Sequence, residues 1–184
     1  MNSNIEVHNI KISLKLKTPY LTYCNEVITK NKKLLYKNFG NFLVLYSNFT
    51  YIFFNTHNND ILHCNVTKVK NYKEIYLSKK ELRYLLPKLS ILSTEVDNIC
   101  GTKNIGGTIS LESLFKNLVK CASTEFKINY NSQKFPGLFI KFCKTFLTGT
   151  LIVFKSGKIN YVGLKRPYDF VMLDKWIEKS IHYV

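Results

Sequence analysis

Acidic residues are scarce in this chain, which has 12 Asp and Glu against 27 Lys and Arg and a formal net charge of +15. This imbalance favours an anionic partner, because each Lys or Arg placed on a phosphate releases condensed counterions and strengthens binding. Solubility and an AT-rich coding sequence are the alternative explanations. Codon bias does not by itself explain the shortage of acids, so we predict a nucleic-acid partner.

Other absences exclude further classes of protein. The five cysteines are scattered without a CxxC or a paired Cys/His spacing, which predicts reduced thiols and no zinc site. No apolar run is long enough to span a membrane, and the polar start is unlike a signal peptide, so we expect a soluble intracellular protein. Paired carboxylates, a nucleophile–base constellation and a phosphate-binding glycine loop are also missing, so we predict neither an enzyme nor a cofactor.

Two short segments indicate an internal repeat. The sequences VHNI, ending at Ile10, and VDNI, ending at Ile99, are separated by about half the chain. Each is followed by an amphipathic helix, a block of aromatic-rich strands and another amphipathic helix. We therefore predict a first repeat over residues 1–90 and a second over residues 91–184.

The first repeat contains three local signals. Thr18 and Pro19 predict a helix start, because proline is well tolerated at the first helical position. Strands are expected between about Lys33 and Thr67. The segment from Ser78 to Glu81 reads as a capping box that begins a helix with leucines at helical spacing, and Pro87 is expected to kink or shorten it.

The second repeat follows the same order. Ser110 precedes a helix with Leu111, Leu114, Phe115 and Leu118 at helical spacing. Three strands are expected next, the last two joined by a hairpin turn over residues 155–158, and Asp169 is expected to cap a final helix. Two such halves bury their apolar surface if they share one sheet with the helices on one side, which leaves the other side bare.

The stretch from Gln133 to Lys165, with its FPG, its IVF-x-SGK hairpin and the turn before Lys165, resembles the second repeat of TATA-binding proteins. Asn9 and Asn98 resemble the paired asparagines of that family. The resemblance implies an α+β, saddle-shaped, pseudo-twofold fold, with one curved antiparallel sheet and helices on its convex face.

The resemblance also implies a function. The expected protein is a general transcription initiation factor that binds the minor groove of AT-rich promoter DNA and bends it by phenylalanine insertion, a mechanism for which TATA-binding proteins are themselves the model case. It would nucleate preinitiation complex assembly with IIB-like and IIA-like factors and the RNA polymerase machinery, in the nucleus or in a viral replication compartment. Asn131 and Gln133 replace acidic residues of the family, which puts the IIB contact in doubt. A divergent scaffold that acts through protein partners, with weak or non-TATA DNA binding, is the alternative.

The implied DNA contacts fall into three groups. Phenylalanines and neighbouring apolar residues face or enter the groove, the two asparagines donate to the base acceptors of A·T pairs, and lysines hold phosphates. The predicted set is Asn9, Phe39, Ile52, Phe54, Lys68, Asn98, Phe135, Lys141, Ile152, Phe154, Lys158, Val162 and Lys165.

The first repeat departs from the family pattern. It lacks the SGK turn, Leu45 stands where an arginine is expected, and Lys11 stands where a small apolar residue normally faces the groove. His63 and Asn65 make the same surface more polar, and Asn65 and Val162 replace the threonines of the two family turns. We therefore predict an asymmetric binder in which the second repeat supplies most of the DNA contact.

Overall fold

The computed structural model describes residues 5–17, 23–31, 34–54, 61–121, 124–144 and 147–182. The predicted helix start at Thr18 and Pro19 lies outside the described residues. In chain order the described elements are β1 (Glu6–Lys17), α1 (Tyr23–Lys30), β2 (Leu35–Asn38), β3 (Phe42–Tyr46), β4 (Thr50–Phe54), β5 (Ile61–Val69), α2 (Tyr72–Leu85), β6 (Ser90–Asn104), α3 (Leu111–Lys120), β7 (Phe126–Asn129), β8 (Gly137–Lys144), β9 (Leu147–Phe154), β10 (Lys158–Leu164) and α4 (Pro167–His182).

The chain divides into two compact units. The first unit comprises residues 9–97, and the second comprises the residues up to His8 together with those from Asn98 onward. Neighbouring strands follow the order β2-β3-β4-β5-β1 in the first unit and β7-β8-β9-β10-β6 in the second. Each unit therefore repeats one arrangement, and β1 and β6 each contribute residues to both units.

The helix α2 packs against β5 in the first unit. It begins at Tyr72 rather than at the predicted capping box, because Asn71 is the N-cap: its side chain accepts the Glu74 N–H at 3.0 Å, and Glu74 accepts the Lys70 N–H at 2.7 Å. Ser78 lies buried inside the helix and donates to the Ile75 carbonyl. The predicted start at Ser78 is therefore wrong, since a second capping box seven residues earlier satisfies the first-turn amides.

The end of α2 agrees with the expectation for Pro87. The helix ends at Leu85, two residues before the proline, and the Leu86 N–H still bonds the Leu82 carbonyl. Proline disfavours helical conformation in the preceding residue, so the chain leaves the helix there.

Helices α3 and α4 cover one face of the sheet in the second unit. The predicted α3 is confirmed with Ser110 as its N-cap and with Leu111, Leu114 and Leu118 buried, whereas Phe115 is only partly buried. The helix α4 begins at Pro167, and Asp169 accepts the backbone N–H of Lys165 at 3.3 Å and of Arg166 at 3.0 Å from within the first turn. Asp169 thus satisfies the helix start, as predicted, but from two residues inside it.

The predicted hairpin between β9 and β10 is confirmed. The Gly157 N–H donates to the Phe154 carbonyl at 3.0 Å, and Gly157 has a φ of 80°. A side chain is disfavoured at this φ, which explains the glycine of the SGK turn. No helix in the described part of the chain is long and apolar enough to cross a membrane.

Candidate nucleic-acid interface

The two faces of β9 differ in burial. Leu151 and Val153 are completely buried, whereas Ile152 and Phe154 are partly exposed. Tyr161 lies opposite Leu151 on β10, and its hydroxyl donates to Asp174 of α4 at 2.7 Å. Because side chains alternate along a strand, Leu151 and Val153 face α4 and the other pair faces away from it. We call the sheet face turned away from the helices the open face of each unit.

Three phenylalanines cluster on the open face of the second unit. The ring of Phe135 lies 5.0 Å from that of Phe139 and 5.9 Å from that of Phe154. Phe135 keeps 38% of its surface exposed. Gly137 pairs with Phe154 across the strands, and a Cβ atom there would approach the Phe135 ring to 2.7 Å. The absence of a side chain at Gly137 therefore leaves the space in which Phe135 rests.

Beside this cluster, the same face carries a shallow apolar depression. Its lining includes Phe139, Lys141, Thr150, Ile152 and Val162. Lys141 is opposite Thr150, and Thr150 is opposite Val162, so the three belong to adjacent strands at one level of the sheet. The structure therefore brings the predicted contact residues of these three strands together on one surface.

The side-chain amide of Asn98 is oriented by the backbone. Its Oδ1 accepts the N–H of Gly163 at 2.9 Å, and a backbone N–H only donates. The Nδ2 group is the other end of the amide and donates to the sulfur of Cys100 at 3.3 Å. An N–H₂ group has two hydrogens, so one of them is left as a donor on this partly exposed residue.

The basic residues of the second unit fall into two sets. Lys103 and Arg166 bond carboxylates of α4, with Lys103 2.9 Å from Asp174 and 2.7 Å from Glu178. Burial alone would lower the pKa of Lys103, but the hydrogen bonds to the two carboxylates outweigh it and raise that pKa. The second set, on or beside the open face, is exposed and has no carboxylate partner among the described residues; it consists of Lys141, Lys158 and Lys165.

The first unit orients its strands in the same way. Tyr51 is fully buried, and its hydroxyl donates to the Ser78 carbonyl of α2 at 2.8 Å. Ile52 and Phe54 alternate with the buried Tyr51 and Phe53 and are partly exposed. Asn9 is also partly exposed and precedes the buried Ile10 on β1.

The first unit also has three clustered phenylalanines, in a different arrangement. Phe39 stacks on Phe42 at 4.7 Å, and Phe42 lies 5.9 Å from Phe54. Phe42 pairs with Phe54 just as Gly137 pairs with Phe154, so the first unit has a phenylalanine side chain at the position where the second unit has a glycine. Phe39 is consequently more exposed than Phe135, with 53% of its surface accessible. Phe42 was not among the predicted residues, because its pairing with Phe54 follows only from the strand register.

The register also changes which residues correspond between the units. Leu45 pairs with Tyr51 and is fully buried on the helix side, so it does not occupy an open-face position expected for an arginine. Phe42 corresponds to Gly137 by register, so the counterpart of Lys141 in the first unit is Tyr46. The expectation for Leu45 is wrong because one extra residue separates Phe39 from the strand, and a one-residue shift reverses the faces.

Lys68 is affected by a similar shift. Val69 pairs with Ile10 and Leu164 pairs with Ile99, so Lys68 corresponds to Gly163. Both have a positive φ, 67° for Lys68 and 77° for Gly163. The counterpart of Lys165 by this register is Lys70, and Lys68 is an exposed lysine in a backbone conformation that usually favours glycine.

A polar cluster lies on the open face of the first unit. The Ser13 hydroxyl lies 2.5 Å from Asp97 Oδ2 and 2.9 Å from Asn65 Oδ1, and Lys11 Nζ lies 3.5 Å from the same Asp97 oxygen. Lys11 and Asn65 are among the polar departures expected from the sequence, whereas Ser13 and Asp97 were not predicted. Ser13 and Asp97 are far apart in sequence, so only the strand arrangement brings them together.

Comparison with known proteins gives two positive findings. Residues 93–175 match the sequence profile of the family described as transcription factor TFIID, or TATA-binding protein. Among solved structures, the chain is similar to a protein described as Methanococcus jannaschii TBP, with 18% identity, a TM-score of 0.71, and coverage of 98% of this chain and 99% of that chain. No curated protein shows significant sequence similarity to the chain.

The two positive findings point to one class of protein, those that resemble TATA-binding proteins. More particularly, the chain is TATA-binding-protein-like, with the family's sequence signature in residues 93–175 and its fold over nearly the full length. The resemblance inferred from Gln133–Lys165 and the predicted α+β fold class are both confirmed.

Proposed function

We propose that the chain is a general transcription initiation factor that binds the minor groove of AT-rich promoter DNA, bends the duplex by phenylalanine insertion and nucleates the preinitiation complex. The observation that carries this proposal is the open face of the second unit. There a cluster of partly exposed phenylalanines adjoins exposed lysines that have no carboxylate partner among the described residues. Grouped apolar residues exposed on a protein surface mark a binding site.

The chemistry of the minor groove suits these side chains. Phe135 and Phe154 are the wedges of the second unit, and unstacking a base step costs a few kcal/mol that the larger contact area of a bent duplex offsets. Flexible TA steps make the bend least costly, so preference for TATA-like sequence arises largely from deformability. Ile152 and Val162 contact the groove, and Lys141, Lys158 and Lys165 bind phosphates without reading sequence.

The asparagines act on the bases. The Asn98 amide is held by Gly163 with its N–H₂ group as the remaining donor, and A·T pairs present only the acceptors A N3 and T O2 in the minor groove. We assign the same role to Asn9 in the first unit. In that unit Phe39 and Phe54 are the proposed wedges, Ile52 contacts the groove and Lys68 binds a phosphate.

Protein partners follow from the same proposal. We expect IIA-like and IIB-like factors and the RNA polymerase machinery, acting in the nucleus. The IIB-like contact is weakened, because Asn131, which replaces an acidic residue of the family, is neutral and its Oδ1 accepts the N–H groups of Gln133 and Lys134 at 3.2 and 3.3 Å. Asn131 thus stabilises its own turn and presents no charge.

The test measures binding and bending together. Fluorescence anisotropy reports affinity for a TATA-containing duplex and a GC-rich control, and energy transfer between labelled DNA ends reports the bend. Phe135→Ala and Phe154→Ala are expected to abolish bending of the TATA duplex. Tyr168→Ala is the matched control, since Tyr168 is a 62% exposed aromatic of α4 away from the open face, and it is expected to bend DNA normally.

The polar cluster and the filled position at Phe42 favour a second candidate, a scaffold that acts through protein partners. Equal, unbent and salt-sensitive binding to both duplexes by the unmodified protein would support that candidate. It would also contradict the initiation-factor proposal, because a wedge mechanism requires a bend.

A further inference from the structure

The open face of the first unit carries a carboxylate that is held in place but not fully used. Ser13 and Lys11 both contact Asp97 through Oδ2, which leaves Oδ1 without a donor among the described residues. The Asp97 side chain keeps 30% of its surface exposed, so the carboxylate lies at the protein surface. An ionised carboxylate has only acceptors to offer.

An acceptor on this surface does not suit A·T pairs. In the minor groove A·T and T·A both show only the acceptors A N3 and T O2, whereas a G·C pair adds the N2 amino donor of guanine. Facing an A·T pair, Asp97 would set a carboxylate against base acceptors and lose its hydration with no replacement hydrogen bond. Facing a guanine, the same oxygen gains a charge-assisted hydrogen bond.

We infer that the DNA element of this protein contains guanine within the half contacted by the first unit, and that Asp97 reads the guanine N2 amino group from the minor groove. The inference rests on the proposed minor-groove binding. Lys11 and Ser13 are positioning residues, because they fix Oδ2 and so aim Oδ1.

The experiment isolates the amino group. Starting from the TATA duplex, one adenine at a time is replaced by 2,6-diaminopurine, which adds an N2 amino group to an otherwise A·T-like pair. At one or more positions the unmodified protein is expected to bind the substituted duplex about tenfold more tightly, the size expected for one hydrogen bond to a charged acceptor. A G·C pair at that position should bind as well, and replacing its guanine by inosine, which lacks the amino group, should remove the gain.

Two variants test the assignment to Asp97. Asp97→Ala is expected to lose the tenfold preference, and Asp97→Asn is expected to shift it towards A·T pairs, because an amide can also donate to A N3 or T O2. Glu95→Ala is the matched control: it removes a carboxylate from the same strand, strengthens binding to every duplex alike and keeps the preference. Thermal melting of each variant checks that it is folded.

The outcomes separate the two proposals. If diaminopurine weakens binding at every position, equally in the unmodified protein and in Asp97→Ala, the inference is wrong while TATA binding and bending stand. A preference that survives in folded Asp97→Ala and Asp97→Asn also overturns it. If the protein binds no duplex, the proposed function fails, and the inference fails with it.

Discussion

The two open faces share one backbone arrangement and differ in what they present. In the second unit Gly137 leaves room for Phe135 to lie against Phe154, and in the first unit Phe42 fills that room and lifts Phe39 outward. The first unit also replaces apolar surface with the cluster around Asp97. The two units therefore keep one strand order, while the second presents grouped phenylalanines and the first presents hydrogen-bonding groups.

The difference between the phenylalanine clusters of the two open faces depends most directly on Gly137. In Gly137→Ala the added Cβ meets the Phe135 ring at 2.7 Å and the Ile152 side chain at 3.0 Å, so the ring must move out of its place. The backbone at Gly137 is not among the positive-φ positions, so alanine adds no backbone strain. We expect DNA bending to be lost and affinity for the TATA duplex to fall at least about tenfold, within the few kcal/mol associated with a wedge. End-labelled energy transfer and anisotropy measure the two effects.

The matched variant is Phe42→Ala in the first unit. It removes the side chain that fills the corresponding position and lets Phe39 approach Phe54, so bending is expected to be kept. Normal bending by Gly137→Ala would show that the fit of Phe135 against Phe154 has no role in the bend. Equal loss in both variants would show that the two units contribute alike.

On the sheet face that packs against helices, each unit has a buried tyrosine that is hydrogen-bonded to a helix. The Tyr161 hydroxyl donates to the Asp174 carboxylate, and the Tyr51 hydroxyl donates to the Ser78 carbonyl. Hydrogen bonds to charged groups are stronger than those to neutral ones, so Tyr161→Phe should lower the free energy of unfolding by about 2 kcal/mol and Tyr51→Phe by about 1 kcal/mol. Urea unfolding measures both.

These tyrosines also predict how stability changes with pH. Burial raises the pKa of both Tyr51 and Tyr161 above the ordinary value of 10.0. Each tyrosine makes its full contribution to the free energy of unfolding below pH 10, and that contribution decreases above pH 10. The reason is that the unfolded tyrosine then ionises and releases a proton that the folded one retains. Each phenylalanine variant should therefore unfold with a shallower pH dependence above pH 10. An unchanged slope in both variants would mean that these hydroxyls ionise as readily when folded.

The second unit was the more predictable from sequence. Its signature runs in order from Gln133 to Lys165, which predicts the strands and the hairpin. Once one residue is assigned to a face of the sheet, alternation assigns the other side chains of its strand. In the first unit a single extra residue before β3 moved Leu45 to the helix side and made Tyr46 the counterpart of Lys141. A period of two makes facing sensitive to any insertion, and sequence spacing alone does not locate the insertion.

Two other differences have a tertiary cause. Two capping boxes compete around α2, and the helix begins at the one near Asn71, so that Ser78 is buried and its carbonyl accepts from Tyr51. The contact between Ser13 and Asp97 joins distant strands. Local sequence patterns predict neither the helix start near Asn71 nor the contact between Ser13 and Asp97, because both depend on which strands become neighbours.

Lys158 and His63 occupy the same register position in the two units, and substitutions there are expected to have the smallest effect on DNA binding. Lys158 follows the β9–β10 turn at the level of Phe154, and His63 lies opposite Phe54 in the first unit. Both are exposed. At pH 8 an ordinary histidine is neutral, so only the lysine carries a charge to a phosphate.

Lys158→Ala is therefore expected to weaken binding to TATA and GC-rich duplexes alike, by about threefold, and to reduce the slope of log K against log salt by about 0.9. His63→Ala should leave that slope unchanged at pH 8, whereas His63→Lys should increase it by the same amount. Anisotropy titrations over a range of salt concentrations give all three slopes. A sequence-selective loss of binding in Lys158→Ala would mean that this lysine reaches a base edge rather than a phosphate. Equal salt slopes for Lys158→Ala and His63→Ala would contradict the predicted difference in charge between the two units.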